Sequence, residues 1–216
     1  MSEDFEVLTD AIVVGDRDAA LAILNRIKNS VDPLTLVDKS LAPAMATVGK
    51  KFEEGEFFLS EMLASAAVVK ILLEIIEPLL AKTKEGGRKP KGTVVIGTVA
   101  GDIHDIGKTI VASMLAGSGY RVIDLGTEVS AETFARVVRT ANSDFVAISA
   151  LTTTTMLGMR DVIQALEKEG IRRRVKAMVG GAPVTERFAK EIGADLYGKT
   201  AYEAVLRANE AMTGMN

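Results

Sequence analysis

The only histidine in 216 residues, His104, stands in the run Ala100-Gly101-Asp102-Ile103-His104-Asp105-Ile106-Gly107-Lys108-Thr109. An aspartate two residues before a histidine can hold one ring nitrogen, which leaves the lone pair of the other for a metal. The N-terminus of a following helix favours the neutral ring that such ligation needs. The bland alternative is a structural histidine beside a helix end. A metal site built from protein alone is excluded, because zinc or iron would need further ligands and the chain has neither a cysteine nor a second histidine. Any metal must therefore arrive with its own ligands. A macrocycle that fills the equatorial positions and leaves an axial one for His104 meets that condition.

The same run nearly spells a phosphate-binding loop. Gly101 is separated from Gly107-Lys108-Thr109 by five residues, however, where the motif needs four. Asp102 and Asp105 would also repel a polyphosphate. Two further segments carry unusual chemistry: the hydroxyl-rich Ser149-Ala150-Leu151-Thr152-Thr153-Thr154-Thr155, and the glycine pair of Gly180-Gly181-Ala182-Pro183.

The elements that must position these segments follow from periodicity. From residue 93 onward, β-rich runs alternate with helical windows: Thr93–Thr98, Arg121–Asp124, Phe145–Ser149, Val175–Val179 and a weaker Ala194–Tyr197. That alternation predicts an α/β Rossmann-like, flavodoxin-like domain, with a five-stranded parallel sheet covered on both faces. In a 2-1-3-4-5 strand order, ligands bind beyond the carboxyl ends of strands 1 and 3. All three chemical segments fall at that edge. Before the sheet, apolar residues recur at three- and four-residue spacing and predict a four-helix bundle. Its helices are expected at Glu3–Val14, Asp16–Lys28, from Pro33, and from Ser60 as N-cap. The polar, Gly- and Pro-containing stretch Lys82–Lys91 reads as a linker, dividing the chain into a helical domain at 1–88 and an α/β domain at 89–216.

Composition narrows the field. Hydrophobic residues at 48% and charged residues at 25% describe a chain with a real core. The absence of cysteine removes disulfides, thiolate metal sites and thiol nucleophiles. A net charge of −3 gives no global reason to bind nucleic acid. The acidic start MSEDFEVLTD does not read as an export signal, and Lys70, Glu74, Glu77 and Pro78 interrupt the most apolar window, Leu63–Leu80. A cytoplasmic protein without membrane partners is expected.

The pattern Asp102-x-His104-x-x-Gly107, then 41 residues, Ser149-x-Leu151, then 28 residues, Gly180-Gly181 resembles the cobalamin-binding signature of methionine synthase, B12-dependent mutases and corrinoid methyl carriers. With its helical bundle the chain is most similar to the corrinoid proteins of methylamine, methanol or methoxyl methyltransferase systems. The resemblance implies cobalamin bound with its dimethylbenzimidazole displaced from cobalt and His104 as the lower axial ligand. Asp102 would orient His104. Thr155 would stand where methionine synthase has a serine. Ser149 would bond the displaced base, and Gly107, Gly180 and Gly181 would leave room for it. Asp105, Ile106, Leu151, Thr152 and Thr153 would complete the cofactor-binding loops. The segment from Val48 to Leu59 is similar to the cap of methionine synthase, which makes Phe52 and Leu59 the residues over the upper face; the alternative is that both are bundle core. Ser60 stands where related proteins have proline.

The same resemblance implies a methyl group carried on cobalt in one-carbon metabolism. A substrate-specific methyltransferase would deliver it, a second methyltransferase would pass it to a thiol or tetrahydrofolate, and a reductive activator would restore the cobalt. The linker at Lys82–Lys91 would be the hinge that uncovers the metal. Three other readings compete: a B12-dependent sensor, a mutase small subunit, and a receiver-like domain without cobalt. The chain has no tryptophan for the light-responsive sensors, and mutase subunits lack the bundle.

Overall fold

A computed structural model describes residues 2–82 and 90–214. They form two units, one built on the N-terminal helices and one on a parallel sheet. Of the expected linker Lys82–Lys91, residues 83–89, and with them the 88/89 boundary, lie outside the described residues; Lys82 is the last residue of the final N-terminal helix.

The helical unit follows its apolar periodicity. Helix α1 spans Ser2–Val13 and α2 Arg17–Ile27. Asp16 caps α2, its carboxylate accepting the Ala19 N–H at 3.0 Å. Helix α3 (Pro33–Leu36) begins at the expected proline and continues through a π-helical turn, Val37–Leu41, into α4 (Ala42–Glu53). Within that turn the buried Ser40 donates to the Phe5 carbonyl at 3.1 Å, which ties it to α1. Helix α5 spans Leu59–Lys82. Leu8, Ile12, Leu24, Leu36, Leu41, Met45, Leu72 and Ile76 are fully buried and form the interior.

The start of α5 differs from expectation. Ser60 is not its cap; Glu61 reaches back to accept the Phe58 N–H at 3.0 Å, and the Phe58 carbonyl accepts the Met62 N–H. The carboxylate half of a capping box thus begins the helix before Ser60, whose hydroxyl instead bonds Glu61.

From residue 93 onward, β1 (Thr93–Thr98), α6 (Ile106–Gly117), β2 (Arg121–Asp124), α7 (Ala131–Ala141), β3 (Phe145–Ser149), α8 (Gly158–Lys168), β4 (Lys176–Gly180), α9 (Glu186–Ile192), β5 (Leu196–Gly198) and α10 (Ala201–Thr213) alternate along the chain. The strands lie in the order β2-β1-β3-β4-β5, every neighbouring pair parallel. Thr98 pairs with Ser149 and Ser149 with Gly180, so three strands end level at one edge. Val95, Phe134, Val146, Ile148, Met159 and Leu166 are buried between sheet and helices.

Strands β4 and β5 begin one and two residues later than the sequence predicts. The ladder of β4 opens with the Lys176 N–H on the Asp144 carbonyl. Ahead of β5, Gly193 takes a left-handed φ of 80° and Ala194 donates back to Ala189, so Ala194 is still closing α9.

Candidate functional site

Asp102 is 1% exposed, an expensive position for a carboxylate unless its oxygens are satisfied. Four donors satisfy them. Oδ1 accepts the His104 N–H at 3.0 Å and faces the His104 Nδ1 at 2.7 Å. Oδ2 accepts the Leu151 N–H at 2.7 Å and the Thr155 hydroxyl at 2.5 Å. Burial alone pushes the Asp102 carboxyl up, but the bonds from Thr155, Leu151 and His104 outweigh it and hold the group well below the usual carboxylate range. A permanent anion at Oδ1 fixes the proton of a neutral His104 ring on Nδ1 and leaves the lone pair on Nε2.

Backbone contacts hold the rest of the loop. The Thr98 hydroxyl donates to the His104 carbonyl at 3.0 Å, so both the N–H and the C=O of His104 are tied. The Glu128 N–H donates to the Asp102 carbonyl at 3.1 Å, with Glu128 itself at a φ of 53°. Across the edge, Thr155 accepts from the Thr152 hydroxyl at 2.8 Å while Thr152 accepts the Thr155 N–H at 3.1 Å. Asp102, His104, Leu151, Thr152 and Thr155 therefore form one network over the ends of β1 and β3.

The side chain of His104 is 49% exposed. Around it, Ile103 is 69% exposed, and Ile106, Leu151 and Leu157 are also open to solvent. Large apolar side chains clustered on the loops that carry a metal-capable imidazole suit a flat ligand with an apolar face. A Cβ placed on Gly107 would meet nothing within 4 Å, so open space lies beside that turn. Gly180 and Gly181 have a reason inside the fold. A Cβ on Gly180 would sit 2.9 Å from the Gly198 carbonyl oxygen, and one on Gly181, at a φ of 133°, would sit 1.9 Å from that of Ala150. Among the described residues no group of three or more His, Cys, Asp or Glu side chains could hold a metal ion. The donor set and surroundings thus fit a metal that brings its own ligands, and His104 is the side chain that would reach it.

Ser149 lies in the ladder and its carbonyl accepts the Val99 N–H at 3.1 Å. Asp105 precedes α6 and its carbonyl accepts the Thr109 N–H at 2.8 Å. Thr153 is exposed and stands outside the network. Phe52, in the last turn of α4, is partly buried, and Leu59, the first residue of α5, is exposed. Phe58, which sequence reasoning did not single out, is 72% exposed. Lys108 turns inward: it is 4% exposed and pairs with Asp124, which removes it from any phosphate-binding role. Thr98, Gly126 and Glu128 also escaped the sequence, because two act through backbone groups and Thr98 reads only as the end of a strand.

Two models of a B12 binding domain match the chain, over residues 92–206 and 5–77. Dimethylamine corrinoid protein 2 of Methanosarcina acetivorans is 42% identical over 212 residues, covering 98% of this chain and 97% of the relative. Trimethylamine corrinoid protein 2 of Methanosarcina mazei is 46% identical over 182 residues, or 84% of this chain and 83% of the relative. Among solved structures, the methanol:cobalamin methyltransferase complex MtaBC from Methanosarcina barkeri is similar at a TM-score of 0.81. Its identity is 32%, and the match covers 98% of this chain and 80% of that one.

Proposed function

The chain belongs to the B12-binding corrinoid-protein family, and from that membership we propose that it carries a methyl group on cobalt between two methyltransferases. The donor-side partner is a substrate-specific methyltransferase, as in the complex of the methanol relative. A methylamine is the favoured donor class, because the relatives of higher identity are named for dimethylamine and trimethylamine. The acceptor-side partner is a second methyltransferase acting on a thiol or tetrahydrofolate, and a reductive activator completes the set. The bound corrinoid supplies the cobalt that makes and breaks the bond to the methyl group.

The observation that carries the reading is the fourfold-bonded Asp102 beneath a half-exposed imidazole. In this reading His104 is the lower axial ligand through Nε2, with the dimethylbenzimidazole displaced. Asp102 holds the ring tautomer and Thr155 holds Asp102. Leu151, Ile106 and Ile103 offer an apolar bed, while Asp105, Gly107, Ser149, Thr152, Thr153, Gly180 and Gly181 line the loops around the displaced tail. Phe52 and Leu59 would be the cap residues that the likeness to methionine synthase implies.

The test is reconstitution of the purified protein with hydroxocobalamin, followed by its absorption spectrum and by addition of a methylamine with the donor methyltransferase and reductant. Tight binding and accumulation of the methylated cofactor are expected. A protein that binds no corrinoid, or binds it and never becomes methylated, contradicts the proposal.

A further inference from the structure

Lys108 is the buried charge that the site chemistry does not use. It lies one residue after Gly107 in the first turn of α6, where a helix dipole disfavours a cation, and it is 4% exposed. A lysine is kept there only by a strong partner. That partner is Asp124, the last residue of β2, which is itself partly open to solvent.

Asp124 leads back to the site. Its second oxygen accepts the Gly126 N–H at 2.9 Å, and the Gly126 carbonyl accepts the Thr98 N–H at 3.0 Å. Thr98 then donates its hydroxyl to the His104 carbonyl at 3.0 Å. From the same loop, Glu128 holds the Asp102 carbonyl at 3.1 Å. The backbone of the histidine loop thus rests on the segment Asp124–Val129, and the Lys108 pair pins the root of that segment to the helix that follows the loop. Asp102 and Thr155 hold the ring of His104; this second chain holds its backbone.

From this connectivity we infer that Lys108 and Asp124 are positioning residues for the axial imidazole, setting the height and tilt at which His104 meets its ligand. The inference rests on the proposed axial role of His104. Removing the charge of Asp124 frees the Asp124–Val129 segment from α6, so the imidazole is presented less rigidly and competes less well with benzimidazole for the metal.

The experiment uses full-length protein with 15N-labelled histidine, loaded with cobalamin and reduced to Co(II). Electron paramagnetic resonance then reads which nitrogen lies on the metal. Asp124→Asn keeps size and leaves one oxygen for Gly126, with circular dichroism verifying the fold; if the single variant does not fold, Lys108→Met/Asp124→Asn, which leaves no buried charge unpaired, takes its place and should show the same loss. The expected result is an affinity for hydroxocobalamin lowered about tenfold, as is usual when a supporting partner is lost. The fraction of 15N-coupled signal should fall with it. Lys108→Arg, which keeps charge and donors, should retain the wild-type fraction. A folded Asp124→Asn protein with wild-type affinity and a wild-type 15N fraction overturns the inference, even if its melting temperature has dropped. Absence of histidine coupling in the wild type would instead refute the axial role itself.

Discussion

Two buried polar side chains sit at opposite edges of the same sheet and are treated in opposite ways. At the carboxyl edge, Asp102 accepts four hydrogen bonds within 3.0 Å. At the amino edge, Ser143 is 6% exposed and its hydroxyl makes no hydrogen bond among the described residues. It faces a cavity of about 20 Å³ lined by Val138, Arg139, Asn142, Ile171, Arg174 and Val175. A satisfied buried network fixes geometry, whereas an unsatisfied group only lowers stability. The difference marks where this fold invests in position: at the edge that carries His104, and not at the edge where β3 begins.

The largest effect is expected at Asp102. Asp102→Ala leaves the Leu151 N–H, the Thr155 hydroxyl and both His104 donors without their acceptor. Denaturant unfolding should report a loss of about 3 kcal/mol. Corrinoid affinity should fall by about ten- to a hundredfold, read by titration with hydroxocobalamin.

Thr155→Val keeps shape and removes both the donor to Asp102 and the acceptor of the Thr152 hydroxyl, so a loss of about 1–2 kcal/mol is expected at neutral pH, while Thr155→Ser should stay near wild type. The pH dependence has a definite sign. Asp102 is held below its unfolded value, so its contribution is present above about pH 4 and is lost as pH falls toward the native value. Thr155→Val raises the native value, so the gap between wild type and variant should be full at neutral pH and close on acidification. A gap independent of pH would detach Thr155 from the Asp102 charge.

Smaller effects sharpen the contrast. Glu128 occupies the left-handed region so that its N–H can reach Asp102, and Glu128→Gly should gain about 0.5–1 kcal/mol in thermal unfolding with binding unchanged. Ser143→Ala should be neutral or stabilising by up to about 1 kcal/mol, because it removes a hydroxyl that has no partner among the described residues. A substantial loss on Ser143→Ala would mean that the amino edge is also a built site.

The strand order was legible because each β-rich run is followed by a helical window, and parallel pairing with right-handed crossovers leaves few arrangements. The motif spacing also named Asp102, His104, Thr152 and Thr155, which the fold brings into contact. Supports made by backbone groups were not legible: the Gly126 and Glu128 N–H groups carry no residue-type signal. Lys108 reads in the sequence only as part of a failed phosphate loop, because its burial depends on Asp124, sixteen residues away at the end of β2. The glycine pair pointed to a ligand slot, yet Gly198 and Ala150 already require it. The α5 cap was misplaced at Ser60 because a glutamate reaching back to Phe58 competes equally well for the helix start.

Electron paramagnetic resonance of the Co(II) form reads the proposed bond from His104 Nε2 to cobalt. With 15N-histidine in otherwise unlabelled protein, the expected result is splitting from a single 15N nucleus that vanishes in His104→Ala. Splitting from an unlabelled nitrogen in the wild-type protein, unchanged by His104→Ala, would contradict it.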